Sequence, residues 1–535
     1  MPTEQASQSR STLAYNGMVA APHALASSAG LAALQEGGSA MDAALAANAV
    51  LTVVYPDQTA IGGDCFFIAF DARTKQLHGY NGSGRTPLTA DADHLRELEG
   101  GCMPKRGIHA VTVPGTIDAW AAGHRRFGRL PWDRVLQPAT DYAHHGFAVS
   151  ARLAGGISAV QDFLASDDLT ASTYLKGGAA PREGDQLRLP DLARTLATIA
   201  VEGRDAFYSG AIAEEIAATA ALRGGALSMY DLAGHRGEWV NPLSIDYHGL
   251  TVAGLPPNSQ GLTSLIGLNM LKHVDLGEEW GGADHIHPLI EVKKFAFAVR
   301  DEMLSDPRFT TIDTAKLISS EYAEACWRHY DPTTAAAGTP SLAGDTVAIC
   351  AVDRDGNAVS LIQSIYQGFG SGVMAGETGI VLQNRGSYFS LEPDHPNVFE
   401  PGKRPLHTLM PAMLLRDGEL VGPLGTQGGD AQAQVHLQLV TDLVDFAMMS
   451  NPAVAIDAPR WIAGGASADD PRTVQLENRF SSHLADDLVK RGHRPQWTGA
   501  WNPAAGHAQV ILRDHERGLL AGAADPRADG AALGY

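Results

Sequence analysis

Residues 345–364 read DTVAICAVDRDGNAVSLIQS. From Thr346 the chain runs through Val347, Ile349 and Val352 with only small residues between, a composition that predicts a buried strand. Arg354-Asp355-Gly356-Asn357 supplies the turn, and the apolar run Ala358 to Ser364 pairs back. Asp-Gly between two apolar runs is the strongest short-range hairpin signal. The preceding stretch, 331–345, reads DPTTAAAGTPSLAGD; it is small, rich in Pro, Gly and Thr, and aperiodic, so it predicts an exposed flexible segment. A flexible segment meeting a buried strand at Asp345-Thr346 suggests a cut there that leaves Thr346 as a new N-terminus. A free α-amino group has a pKa of about 7.7–8.0, so it can act as base toward its own hydroxyl. The competing reading is that Thr346 only opens a strand, as β-branched residues often do.

Outward from this hairpin, Met18–Pro56 predicts a short apolar strand and then two Ala-rich helices parted by Gly37-Gly38, the second starting near Ser39. Alanine lets such helices approach closely and cover a sheet. Ile61-Gly62-Gly63 feeds an apolar strand to Asp71, residues 115–230 read as mostly helical, and 286–304 as a long amphipathic helix. Further strands are expected at 380–383, 410–416 and 507–512. Helix layers around a stacked pair of sheets fit this order.

The chain has 535 residues with 40 Lys+Arg against 60 Asp+Glu, a net charge of −20 that argues against nucleic acid and anionic membranes as partners. Cys65, Cys102, Cys326 and Cys350 form no C-x-x-C pair, which removes zinc knuckles and thioredoxin-like motifs, although two bridges remain conceivable. The polar start MPTEQASQSRSTLAYNG has no apolar core of a secretory signal, and the Ala43–Tyr55 run is too short to span a bilayer. The expected location is cytoplasmic.

Gly425-Thr-Gln-Gly428-Gly429-Asp430 lies between a strand and an apolar helical stretch, where consecutive glycine amides can form a nest for an oxyanion, or a simple tight turn. Gly368-Phe-Gly-Ser-Gly372 lacks the residues of a phosphate loop and the spacing of a dinucleotide fingerprint. His285-Ile-His287 has metal-like spacing but no third ligand in reach of the sequence, so no metal is expected. Cys350 reads as a buried structural thiol, and Lys293-Lys294 as a solvated face.

The chain resembles the γ-glutamyltransferase family of N-terminal-nucleophile hydrolases over nearly its whole length. The likeness is carried by Gly17-Met-Val-Ala, Gly37-Gly-Ser-Ala-Met-Asp-Ala-Ala, Ile61-Gly-Gly, Val113-Pro-Gly-Thr116 and Phe207-Tyr-Ser-Gly210. It continues through Leu255-Pro-Pro-Asn-Ser-Gln-Gly261, Val352-Asp-Arg-Asp-Gly-Asn-Ala-Val359, Phe369-Gly-Ser-Gly372, Lys403-Arg-Pro-Leu406 and Ala524-Asp-Pro-Arg527. Their number and fixed order carry the match. The resemblance implies an α+β fold, an αββα four-layer sandwich of the Ntn-hydrolase type, made as two chains from one autoprocessed precursor. The large piece would be 1–345 and the small piece 346–535, together one structural domain.

By the same resemblance Thr346 is the nucleophile, Ser364 the hydroxyl that hydrogen-bonds it, and Gly428 and Gly429 the oxyanion-hole glycines. The substrate-holding positions depart from the family. Ser83 stands at the position of the family's carboxylate-binding Arg, with Arg85 two residues on. Tyr388 replaces the Asp that pairs with a substrate α-amino group, Arg385 a Gln, Tyr366 an Asn, and His407-Thr408 the paired serines. Losing that carboxylate disfavours an ammonium head group, while a new arginine favours a carboxylate.

The function expected is therefore an autoprocessing threonine amidohydrolase that cleaves the amide of a small, carboxylate-bearing acyl group, oxamate-like or glutaryl-like, through an acyl-enzyme. No cofactor is needed. The partners expected are the small-molecule amide and the two pieces of the precursor, with homo-oligomerisation left open. A γ-glutamyltransferase or glutathione hydrolase is the first alternative, and an unprocessed, non-catalytic paralogue that binds a carboxylate ligand the second.

Overall fold

The computed structural model describes residues 9–98, 100–338, 344–464 and 472–535. The first eight residues of the polar start and residues 339–343 of the 331–345 segment therefore lie outside the described residues. The hairpin read from 345–364 forms as Asp345–Val352 paired antiparallel with Ala358–Tyr366. It sits in the middle of a seven-stranded sheet, ordered Ala531–Gly534, Met18–Ala21, Asp345–Val352, Ala358–Tyr366, Asp64–Asp71, Gln76–Asn81 and Glu238–Val240. A second seven-stranded sheet runs Thr12–Ala14, Leu519–Ala524, Ala508–Asp514, Glu419–Thr426, Ala412–Arg416, Leu250–Gly254 and Leu243–Tyr247.

Alternation along the central strand explains the layering. Val347, Ile349 and Ala351 pack with the helices, whereas Ala348, Cys350 and Val352 pack against the second sheet with Met413 and Ile511. Both faces are buried, so the strand reads as a continuous apolar run, and each large aliphatic on it contributes about 1.5–3 kcal/mol. The outer layer on the first sheet is the helical hairpin Ala24–Gln35 and Ala40–Val54. Ser39 caps the second helix through a reciprocal pair with Asp42. The two helices meet at Gly30, where a Cβ would stand 2.8 Å from the Ala43 carbonyl oxygen. The outer layer on the second sheet includes Gly261–Leu271 and Ala431–Val444, which share its apolar core. The fold is thus α+β with four layers, and strands from both sides of the Asp345–Thr346 bond interleave in each sheet.

Several local expectations change. Residues 380–383 form no strand: Val381 and Leu382 make only isolated bridges to Met374 and Gly62. The long helix spans Ala283–Met303, but Lys293 and Lys294 are not a solvated face; they are 1% and 4% exposed. Lys293 lies over the Phe297 ring, and burial lowers its pKa to about 7. All four cysteines are free thiols, and Cys350 donates to the Gln509 carbonyl. Among the described residues no helix is long and apolar enough to cross a membrane.

Candidate active site

Thr346 begins the buried central strand, and its Oγ1 donates to the carbonyl oxygen of Asp345 at 2.7 Å. Ser364, on the paired strand, donates to the same oxygen at 2.5 Å. The Ser364 oxygen in turn accepts from the Tyr366 amide at 2.7 Å and from Arg385 Nη2 at 3.3 Å. A buried guanidinium thus acts through one hydroxyl on the carbonyl of the Asp345–Thr346 bond. Arg385 Nη1 donates to Thr408 Oγ1 at 3.0 Å, and the guanidinium lies 4.5 Å over the Tyr366 ring. Burial lowers the Arg385 pKa, opposed by the nearby Asp64 carboxyl. Tyr366, at the end of the strand paired with that of Thr346, holds a φ of 77°, a left-handed conformation that costs a bulky side chain free energy.

Gly428 and Gly429 follow the strand Glu419–Thr426 and precede the helix Ala431–Val444. Both have positive φ (133° and 57°), which suits glycine, and no backbone partner takes their amides among the described residues. Two amides at a helix N-terminus favour negative charge. The loop reaches the chain ahead of Thr346: a Cβ on Gly344 would stand 3.1 Å from the Tyr366 ring and 3.2 Å from the Gly429 Cα.

A carboxylate that sequence reading passed over closes this side. Asp430 accepts from Tyr388 OH at 2.5 Å and from Arg300 Nη1 at 2.6 Å. Gln260 accepts from the same guanidinium at 3.2 Å and donates to the carbonyl oxygens of Gly429 and Thr408, each at 2.9 Å. Tyr388 therefore stands beside a carboxylate already neutralised by an arginine, and that network fixes the glycine loop. Asp430→Asn leaves the buried Arg300 guanidinium with only the partly exposed Asp301 carboxylate, at 2.7 Å, as counter-charge, an expected loss of about 1–3 kcal/mol. Tyr388→Phe keeps the ion pair and should cost only about 0.5–1.5 kcal/mol. Thermal melts of the two variants check the ordering.

The remaining residues sort as follows. His407 Nε2 bonds Asp64 Oδ2 at 2.9 Å, both fully buried, and Asp64 also accepts from Gln383 and the Gly84 amide. Burial holds the His407 imidazole well below its usual pKa, helped by Arg385, and pushes the Asp64 carboxyl up to about 7. Ser83 donates to Asn81 and accepts from Asn258, which also reaches the Pro405 carbonyl. Arg85 is brought into no contact with this group; Asp306, Glu238 and the Gly402 carbonyl take its guanidinium.

The histidine pair is split. His285 accepts from the Gly281 amide, whereas His287, Glu291 and His493 bring ligand atoms within 4.8 Å of one another. Lys294 already pairs with Glu291 at 2.7 Å, and the cluster holds the segment ahead of Thr346 instead: His287 Nε2 bonds the Asp331 carbonyl, and Glu291 accepts from the Ala336 amide. Residues 331–338 of the segment read as flexible are thus largely exposed but tied down, and Gly344 is buried.

Residues 26–535 match the family model described as Gamma-glutamyltranspeptidase. The chain is 41% identical to the glutathione hydrolase-like YwrD proenzyme of Bacillus subtilis (strain 168), over 98% of this chain and 99% of that one. It is 38% identical to the oxamate amidohydrolase proenzyme of Klebsiella pneumoniae, over 98% and 99% of the two chains. Among solved structures, a cephalosporin acylase from Bacillus halodurans superposes with a TM-score of 0.93 at 38% identity, covering 99% of this chain and 97% of that one.

Proposed function

The chain belongs to the gamma-glutamyltranspeptidase family of Ntn-type amidohydrolases and transpeptidases, and we propose that it is an autoprocessing threonine amidohydrolase for small, carboxylate-bearing acyl groups. One observation carries this reading: Thr346 Oγ1 and Ser364 Oγ converge on the Asp345 carbonyl oxygen, with Arg385 behind Ser364. In the first step Thr346 Oγ1 forms a bond to the Asp345 carbonyl carbon, the C–N bond breaks, and the hydroxyl proton ends on the released amine. Water then cleaves the ester, leaving Asp345 as the end of the large piece (1–345) and Thr346 as the start of the small piece (346–535).

In turnover the free amine of Thr346 takes the proton from its own hydroxyl, and the Gly428 and Gly429 amides hold the oxyanion. An acyl-enzyme forms and water releases the acid. The preference for a carboxylate-bearing acyl group is supported by Arg385, and by the engagement of Asp430 with Arg300 and Tyr388, which leaves that carboxylate ill-suited to a substrate ammonium.

The glutathione hydrolase-like relative favours a second reading, hydrolysis of γ-glutamyl amides. A panel of oxalyl, glutaryl and γ-glutamyl 4-nitroanilides on processed protein separates the two. Turnover of the simple dicarboxylic amides at least tenfold above the γ-glutamyl amide is expected, and the reverse order sinks the proposal. A single uncut band on a denaturing gel, with no turnover, would leave only a ligand-binding paralogue.

A further inference from the structure

On the acyl side of the scissile bond, a cavity of about 490 Å³ opens beside Gly344 and Asp345. Its wall is mixed: Gln58, Arg106, Arg152, Gln427 and His507 bring polar groups to it beside Val160, Pro503 and Ala504. His507 is 1% exposed with both ring nitrogens unpartnered, and Gln427 Oε1 is likewise buried without a partner. Such groups are costly to leave unmet in an interior.

Asp345 is itself among the residues that line this cavity. Gln58 Nε2 donates to Asp345 Oδ1 at 3.0 Å, and the Gly368 amide bonds the same carboxyl. Arg106 faces it with its charge while Nη1 holds the Gly368 carbonyl at 2.6 Å. Gln58 Nε2 also bonds Asp57 at 2.9 Å, but Asp57 is held by Arg152 at 2.9 and 2.8 Å to its two oxygens.

Self-cleavage and turnover pass through the same kind of ester on Thr346 Oγ1. In self-cleavage the acyl group on that ester is the aspartyl group of Asp345. Counting from the scissile carbonyl, it carries two carbons and then a carboxyl, the spacing of a succinyl group. Once the ester is hydrolysed and the tail of the large piece departs, Gln58, Gly368 and Arg106 are left facing an empty place of that length. Arg385 sits on the other side of the scissile carbonyl, where its terminal nitrogens donate to Ser364 and Thr408, and among the described residues it makes no hydrogen bond to the Asp345 carboxyl.

We infer that the Asp345 side chain is a built-in template for the substrate, and that the mature enzyme prefers monoamides of a four-carbon dicarboxylic acid, with the far carboxylate held by Gln58, the Gly368 amide and Arg106. This rests on the amidohydrolase reading and narrows it. An oxalyl group falls two carbons short of those donors, and a hydrogen bond of 3.0 Å does not survive such a gap. A glutaryl group is one methylene too long, a difference that enzymes convert into about 10–200-fold discrimination.

The test is the 4-nitroanilide series oxalyl, malonyl, succinyl, glutaryl and neutral butyryl on wild-type processed protein, read as kcat/KM, with the free diacids as competitive inhibitors. A maximum at succinyl, at least tenfold above oxalyl and glutaryl, with succinate the tightest diacid, is the expected result. Gln58→Leu should then pull the succinyl-to-butyryl ratio toward one. Turnover that peaks at oxalyl or glutaryl, or does not vary with length, overturns the template while leaving an amidohydrolase. No turnover anywhere in the series by a fully processed chain overturns the underlying reading.

Discussion

Thr346→Ala yields a single uncut chain that hydrolyses no amide. Two separate consequences follow from removing one oxygen. The Asp345 carbonyl loses its attacking group, because the Thr346 hydroxyl, the proposed nucleophile, stands 2.7 Å from the carbonyl oxygen. Without the cut, the α-nitrogen of residue 346 stays an amide and cannot accept a proton. In a hydrolase whose nucleophile and base act as a unit, deleting the nucleophile costs about 10⁶ in kcat. Here the two groups belong to one residue, so the whole loss falls on a single substitution. Thr346→Ser keeps the hydroxyl and should still yield two fragments on a denaturing gel. Ser364→Ala keeps the nucleophile but removes the bridge from Arg385 to the scissile carbonyl, and slowed cutting is expected from it. Fragments of unchanged size from Thr346→Ala, mapped by mass to the Asp345–Thr346 bond, would show that this hydroxyl does not make the cut.

The parts of this site that sequence carries are those set by local rules. The central hairpin follows from two apolar runs and an Asp-Gly turn, and the helical hairpin from alanine content and the Gly37-Gly38 break. Thr346 and Ser364 lie on the central hairpin, and Gly428 and Gly429 at the turn between the strand Glu419–Thr426 and the helix Ala431–Val444, so strand register and turn chemistry place them. What sequence hides are pairings across large separations. Arg300 and Asp430 are 130 positions apart, His407 and Asp64 343, and Gln58 and Asp345 287. No periodicity links such residues; only the interleaving of the two sheets does. Lys293 and Lys294 mislead for a related reason. A charged pair on a helix looks solvated until the Glu291 carboxylate and the Phe297 ring are known to lie beside it. At 380–383 the apolar run is real, but Val381 and Leu382 find only one bridging partner each, so no ladder forms.

The same burial makes the fold sensitive to acid. His235, His285, His436, His493 and His507 are held at about 3, and His23 at about 4, in each case first by burial. An imidazole kept neutral in the fold contributes stability that is fully present above its unfolded pKa of about 6.5 and is lost as the pH falls below it. Buried carboxyls act the other way. Asp64 and Asp442 are raised to about 7, and Asp345 to about 6 in the uncut chain, so they favour the fold as pH falls from there toward 4. Six histidines against three acids leave a net uptake of three protons on unfolding, or about 4 kcal/mol per pH unit. Against a total stability of about 5–15 kcal/mol, two units below pH 6.5 remove about half of it or more. Calorimetric melts from pH 7 to 4 should show a steep, continuous fall, with an uptake of at least three protons per chain near pH 5. His436→Leu removes one imidazole whose depression comes from burial alone, and should lower that uptake by one. A midpoint that stays level between pH 6.5 and 4.5 would mean that these histidines are charged in the native state, and that the interior around them is wetter than their burial implies.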